Sequence, residues 1–352
     1  MDFRNYFADE SFDSLRNNLA YYVNIAKKYN DYRFLTAIWL IEERLGLFIE
    51  SIEHEYESYN IHRALSTDIQ SLPKEISHEV LLLSLKESEK EGIGNGVLYL
   101  GMVIFLSNFF SRIILIVEKR LTSVWEKSLI GYKNIEVKSF PYESNKNHSL
   151  RTSNISILKK LCISKVEDIE IYSRTHFNID SEKQEKYKKK YSKNSKLPII
   201  GLTYKSTNPG KDSPGVENWI WLIENFRANY LILQYGDIVK DLEKFRVAAR
   251  KSKSKIIYDS EVDLSGDLEE HFYQISVLDK LVCIASSVTY FASSLGVSAS
   301  LISDDRHSRQ FPILNNKTPW HPKLTIFHKN KKDYNIVFKD VLKDLQGKFQ
   351  RG

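Results

Sequence analysis

The 352-residue chain is poor in cysteine: Cys162 and Cys283 are its only two, and they lie far apart. A disulfide scaffold and a cysteine-built zinc site are both excluded on that count. The opening stretch, MDFRNYFADESFDSL, lacks a basic-then-apolar leader pattern, so a reducing, cytoplasmic setting is expected. Uninterrupted hydrophobic runs are missing too. Val97 to Val117 (VLYLGMVIFLSNFFSRIILIV) has the length to cross a bilayer, but Ser107, Asn108, Ser111 and Arg112 break it. An arginine at the centre of a membrane helix costs roughly 2.5–3.5 kcal/mol. The run divides more naturally into a buried helix and a β-rich run, Ile113 to Val117. No transmembrane segment is expected.

What is present is enough apolar residue for real cores. The hydrophobic set makes up 42% and charged residues 27%, which excludes a mainly disordered protein. Lys and Arg outnumber Asp and Glu by 51 to 45, a net +6. Such a balance fits a nucleic-acid partner or an anionic membrane surface. Much of the excess, however, sits in Lys183 to Lys196 (KQEKYKKKYSKNSK), and such a run is usually a solvated helix face or a linker. No nucleic acid is expected, and only a peripheral membrane contact stays open.

The first ninety residues read as helices. Leu15, Leu19, Tyr22 and Ile25 share one face, as do Phe34, Ala37, Ile38, Ile41, Leu45, Phe48, Ile49 and Ile52. Val80 to Leu85 reads as part of a third helix, and no clean 34-residue repeat is found. A degenerate repeat and a plain bundle are equally compatible with this region. Near Glu91 the texture changes to alternating helices and strands, the mark of an α/β layer. Ile135 to Phe140 alternates like a strand, and Asn145 to Asn154 reads as a loop. From Leu197 a second α/β unit begins, with strands expected at Pro198–Thr203, Tyr230–Leu233, Lys255–Tyr258, Leu281–Ala285 and Ser298–Ile302. Three regions are therefore expected: residues 1–88 helical, 89–195 a first Rossmann-like lobe ending in the basic linker, and 196–352 a second. In doubly wound sheets, ligands sit at the carboxyl ends of strands.

Several chemistries have no motif here. The nine histidines show no metal-ligand spacing, and His321 and His328, near Pro322, are expected to be exposed. There is no GxSxG elbow and no P-loop. Asp304 and Asp305 are adjacent and beside Arg306, which reads as a turn rather than a metal-binding pair.

Four polar loops remain. Glu91 to Gly96 (EGIGNG) is a glycine turn that lets a backbone approach a ligand closely, and the helix after it offers free N–H groups. Its spacing is not GxGxxG. Tyr204 to Gly215 brings Lys205, Ser206, Thr207 and Lys211 after a buried strand, cations and hydroxyls that suit a diphosphate. Leu233 to Gly236 places Gln234, Tyr235 and Gly236 at a strand end, amide groups and a ring for a base. Leu278 to Gly296 (LDKLVCIASSVTYFASSLG) runs a strand into Ser286, Ser287 and Thr289 at a helix start. That is a cradle for phosphate or diphosphate, or a plain N-cap. Asp279 is expected to cap or orient this loop.

In this order the loops resemble the bacterial glycosyltransferases of GT-B architecture with an N-terminal helical, often tetratricopeptide-repeat, region. That group is akin to the heptosyltransferases and, more distantly, the O-GlcNAc transferases. The matching motifs are Gly92-Ile93-Gly94-Asn95-Gly96, Arg120-Leu121, Ser139-Phe140-Pro141, Gly201 to Lys205, Leu233 to Gly236, Leu278 to Gly296, and Pro319 to Lys329 with Asp333-Tyr334. The resemblance implies two Rossmann-like lobes facing a cleft and a nucleotide-sugar donor, held mainly by the second lobe without a metal or other cofactor. It places Gly92 and Gly94 at the first-lobe turn. Gln234, Tyr235 and Gly236 would meet the base or ribose. Ser206, Ser286, Ser287, Thr289, Tyr290 and Gly296 would belong to the donor site, and Lys205 would offset the leaving-group charge. The acceptor would be a surface glycan or a flagellin-like protein, presented by the helices.

Two departures from the pattern matter. Asn95 stands where the family carries its acidic base, and an amide cannot take a proton from an acceptor hydroxyl. Tyr290 stands where the family has histidine, and Ser293-Ser294 replaces its Gly-Ala pair. Either Glu91 serves as base, or the acceptor needs no strong base, or the chain is a non-catalytic relative acting in binding or assembly.

Overall fold

The computed structural model describes residues 12–29, 32–63, 71–86, 92–143, 150–153, 163–192, 195–206, 213–303, 316–329 and 333–349. The chain divides into two compact units, Met1–Phe177 with Arg306–Pro322, and Asn178–Asp305 with Lys323–Gly352.

The first unit opens with helices α1 (Phe12–Tyr29), α2 (Tyr32–Leu45) and α3 (Phe48–Arg63). Leu15, Ala37 and Ile41 form their core, with Leu19, Tyr22 and Leu45 packed against it. The apolar stripe expected to run through Phe34–Ile52 is split at Gly46, whose φ of +79° is the left-handed value that ends a helix. Beside that core, Glu42, Glu43, Arg44 and Glu55 are buried. Glu42 Oε2 lies 2.8 Å from His54 Nδ1.

A parallel sheet follows, built from β1 (Ser77–Ser84), β2 (Phe110–Val117), β3 (Ile135–Ser139) and β4 (Leu150–Ser153) in the order β3-β2-β1-β4. Val80–Leu85, expected as helix, therefore belongs largely to a central strand, and the sheet starts upstream of residue 89. A short apolar run has no period to separate a buried strand from a buried helix. Here the choice is made by ladders to both β2 and β4. Leu150–Ser153, expected as loop, is the edge strand β4. Val97–Val117 divides as expected, into a 3₁₀ turn (Asn95–Tyr99), α4 (Leu100–Leu106) and β2. Among the described residues no helix is long and apolar enough to cross a membrane. Helices α5 (Thr122–Ser128) and α6 (Val166–Ser173) complete this unit. Gly101 lets α4 approach α6 closely, since a Cβ there would lie 2.5 Å from Tyr172 O.

The second unit begins with the lysine-rich helix α7 (Ser181–Ser192). It is only partly solvated. Tyr191 is fully buried, its hydroxyl donates to Asp259 at 2.6 Å, and Gln274 Nε2 donates to it at 3.0 Å. Lys190 pairs with Asp259 and Glu261, each at 2.7 Å, whereas Lys186, Lys188 and Lys189 face solvent.

The strands and helices then alternate: β5 (Ile199–Thr203), α8 (Val216–Asn225), β6 (Asn229–Ile232), α9 (Val239–Ser252), β7 (Lys255–Ile257), α10 (Glu269–Ser276), β8 (Lys280–Ile284), α11 (Ser287–Ser294), β9 (Ala299–Ser303), β10 (Leu324–His328) and α12 (Tyr334–Phe349). The sheet is parallel throughout, in the order β10-β9-β8-β5-β6-β7. Its strands are almost wholly apolar because both faces are covered. Trp219, Leu222, Phe245 and Phe338 from α8, α9 and α12 pack with Leu202 and Ile232. Phe272 of α10 meets Phe291 of α11 with ring centroids 4.9 Å apart. The chain is thus an α/β protein of two Rossmann-like units behind a helical region. In the second sheet β6 and β7 lie on one side of β5, and β8, β9 and β10 on the other. The winding direction reverses between β5 and β8, and a crevice for ligands opens at the carboxyl ends of such a strand pair.

Candidate functional site at the carboxyl edge of the second sheet

At that reversal point β8 ends at Ile284, and the chain turns through Ala285 and Ser286 into α11. Ser286 has the extended backbone of an N-cap, φ −150° and ψ 172°, with Thr289 at N3. The two residues stand in a capping-box arrangement, yet the Ser286 Oγ is shut from solvent and closes no hydrogen bond. The first turn of α11 contains no acidic residue. By contrast, Glu217, Asp241 and the pair Glu269–Glu270 occupy the first turns of α8, α9 and α10. Unlike those three, the positive end of the α11 dipole has no carboxylate in its first turn to offset it.

The neighbouring strand supplies a second unmatched hydroxyl. Thr203, the last residue of β5, is 3% exposed, and its Oγ1 has no partner. Thr203 pairs with Cys283 across the ladder, and Cys283 Sγ lies 3.4 Å from Thr289 Oγ1 of α11. The threonine therefore sits on the α11 face of the sheet. A buried polar group left unpaired costs about 1–3 kcal/mol. Two such hydroxyls on adjacent strand ends, beside an uncompensated helix N-terminus, form a donor set for an anionic oxygen group. Thr203 lies inside the Gly201–Lys205 motif, but nothing local in the sequence distinguishes it; its orphaned hydroxyl is visible only in three dimensions.

The expected residues divide into those at this edge and those with other work. Ser286 and Ser287 open α11, and Tyr290 is half-buried one turn into it. Tyr235 is 47% exposed after β6. Gly236 adopts φ +92° with open space where a Cβ would be, so the chain there turns without covering the edge. Gln234 is buried, and its carboxamide oxygen accepts from the backbone N–H of Tyr204 (3.1 Å) and of Lys205 (2.9 Å). It ties β6 to the turn after β5, so that oxygen is committed to the fold rather than to a base. Lys205 Nζ is held 2.5 Å from Asp241 Oδ2. The Tyr204 hydroxyl donates to the same oxygen at 3.0 Å. Burial, then Asp241, push the Tyr204 phenol well above its ordinary range. Ser206 follows, half-buried.

Four expectations are corrected. Thr289 is not at the surface of the cradle: it is buried, and its Oγ1 contacts Cys283, the Ser286 N–H (3.4 Å) and Ile284 O (3.3 Å). It shapes the turn from within, beside a Cys283 thiol that burial pushes up to about 12. Gly296, at φ +68°, closes the opposite end of α11, where Val297 N–H reaches Ala292 O. That end lies ~12 Å along the eight-residue helix from Ser286. Asp279 is also at the amino edge, where its carboxylate accepts from Ile199 N–H at 2.8 Å. His321 is buried rather than exposed, and burial pushes it down to about 3. Glu91, Thr207, Lys211, Asp304, Asp305 and Cys162 lie outside the described residues.

In the first unit the glycine turn leads into a 3₁₀ turn, not directly into an α-helix as expected. Gly92 is exposed with open space around it, and Gly94 is buried. At the carboxyl ends of β1 and β2 lies a charged cluster that no local sequence pattern marks. Lys86 is buried and sits 3.0 Å from Glu118, which Arg120 also meets at 3.0 Å. Burial pushes the Glu118 carboxyl up, but hydrogen bonds from Lys86 and Arg120 outweigh it and hold it below its usual value. Glu118 therefore stays ionised and is a weak proton acceptor. Lys86 lies just past β1, whose apolar run has no period to mark a strand end there. Among the described residues no three His, Cys, Asp or Glu groups are placed to hold a metal ion.

No family model and no curated protein matches this chain. Solved structures do. The glycosyl transferase family 9 protein of Veillonella parvula aligns with a TM-score of 0.48 and 12% identity, over 78% of this chain and 91% of that one. The ADP-heptose lipopolysaccharide heptosyltransferase II of E. coli aligns at 0.49 and 10%, over 76% and 98%. An O-GlcNAc transferase mutant of Thermobaculum terrenum aligns at 0.37 and 9%, over 94% and 73%. At such values no substrate or residue role passes from these proteins to this one.

Proposed function

We propose that this chain is a glycosyltransferase that moves a sugar from a nucleotide-sugar donor to a surface glycan or a flagellin-like protein, in a bacterial cytoplasm. The observation that carries the reading is the pair of unpartnered buried hydroxyls, Thr203 Oγ1 and Ser286 Oγ, beside the acid-free N-terminus of α11. In this reading the donor diphosphate takes hydrogen bonds from both hydroxyls, from Ser287 and from the first amides of α11. Tyr235 and Gly236 meet the base or ribose, while Gln234 holds the turn. Transfer breaks the bond between the anomeric carbon and the diphosphate oxygen and forms one to the acceptor oxygen. The bonding pair leaves with the diphosphate, where Lys205 and the α11 amides stabilise the added charge. The acceptor proton goes to a base. Asn95 cannot take it, so the reading assigns Glu91, which precedes Gly92 in the sequence, to that task. Helices α1–α3 are proposed to present the acceptor, and no metal is assigned a role.

Thermal-shift measurements against UDP, GDP, CMP, ADP, dTDP and their common sugars test this. A base-selective rise in Tm that disappears in Thr203→Val and Ser286→Ala is expected. No rise with any nucleotide would overturn the reading. A second reading, a non-catalytic relative serving in binding or assembly, is favoured by Asn95. Binding without transfer or donor hydrolysis would select it.

A further inference from the structure

Asp241 is a residue that neither the motifs nor the resemblance marked. It lies in the first turn of α9, at the carboxyl end of β6, and its side chain is only 13% exposed. One carboxylate oxygen, Oδ2, receives both the Lys205 ammonium and the Tyr204 hydroxyl. Lys205 is half-exposed and also lies over the Tyr204 ring, 5.5 Å from its centroid. The backbone of the same two residues is fixed by Gln234. The lysine assigned to the diphosphate is thus held, charge-neutralised, on the wall of the crevice.

We infer that Asp241 sets the affinity of this site for nucleoside diphosphates by competing for Lys205. An incoming diphosphate must draw the ammonium away from Asp241, and it meets the negative field of that carboxylate as it does so. The carboxylate therefore weakens donor and product alike. For the product this favours release, and after release Lys205 returns to Asp241. This inference rests on the donor-site reading above.

The test is calorimetric titration of UDP, ADP and GDP into the full-length wild type, Asp241→Asn, Lys205→Ala and the double variant, at one fixed ionic strength. Asparagine keeps an acceptor for the Tyr204 hydroxyl, and equal melting temperatures will confirm that the fold is retained. Asp241→Asn is expected to bind the preferred diphosphate about two- to fivefold more tightly, the worth of a half-exposed ion pair. The gain should vanish when Lys205 is already alanine. Unchanged or weaker binding in Asp241→Asn would overturn the inference and make Asp241 a ligand contact or a bystander. A gain that persists without Lys205 would overturn it in favour of general repulsion. If no diphosphate binds any of the four proteins, the donor-site reading itself falls, an outcome distinct from both.

Discussion

At the scale of single residues, Ser286 shows how position and chemistry separate. A serine at N-cap usually contributes about 0.5–2 kcal/mol through its bond to the first turn. Here the Oγ makes no such bond. Ser286→Ala is therefore expected to leave the stability of the ligand-free protein unchanged within about 0.5 kcal/mol, or to raise it, while lowering nucleotide affinity. Thr289→Val, which removes contacts to Cys283 and Ile284 O, should cost about 1–2 kcal/mol. Urea unfolding of both variants measures the contrast, and equal losses would contradict it. The hydroxyls of α11 were legible in the sequence as polar residues between a strand and a helix. Their division of labour was not: both hydroxyls are shut from solvent, but Thr289 Oγ1 is bonded within the turn and Ser286 Oγ is not. Gln234 and Lys205 were legible as residue types at strand ends. Their partners, the Tyr204 and Lys205 amides and Asp241, come from neighbouring segments that no local pattern connects.

At the scale of elements, regular alternation in the second unit made nearly every strand from β5 to β9 readable, since turn residues separate each apolar run. The first unit was harder. β1 lacks a period, β4 is a short edge strand in a polar stretch, and both are fixed by pairing rather than by propensity. The helical region carries its own pH dependence. The His54 imidazole is pushed up chiefly by its hydrogen bond to Glu42, against the opposing effect of burial. The Glu42 carboxyl is pushed up by burial, partly offset by His54, with Glu50 and Glu53 adding to the rise. Glu57 and Glu53 also act on His54. Both groups bind protons more tightly folded than unfolded. Their stabilisation is full below the unfolded pKa of each and is lost as pH rises through the folded value. Over the histidine window, stability should fall as pH rises above the ordinary imidazole value of about 6.5. His54→Gln should flatten that fall, as followed by Tm across pH; an unchanged slope would contradict the assignment.

At the scale of the whole chain, the two units are not consecutive segments. After β9 the chain contributes Arg306–Pro322 to the first unit and then returns for β10 and α12. The returning stretch is anchored where it lands. Trp320 is buried, with its ring 6.5 Å from that of Tyr99, and Ser173 Oγ donates to Pro319 O at 2.8 Å. A fragment of residues 196–352 would strip Pro319 and Trp320 of those neighbours. It should melt well below the intact chain and bind a hydrophobic dye, and a fragment as stable as the parent would contradict this. The pattern expected from sequence, one lobe and then the next, missed this return because Pro319–Lys329 reads locally as a tail.

The return also bears on how such a protein can be inherited or rebuilt. A single crossover between two genes cannot exchange one unit cleanly, since each is encoded in two pieces. Chimeras that swap the second unit need three junctions, at about residues 177, 305 and 322. Recombination along this gene therefore tends to pass both units on as one cassette.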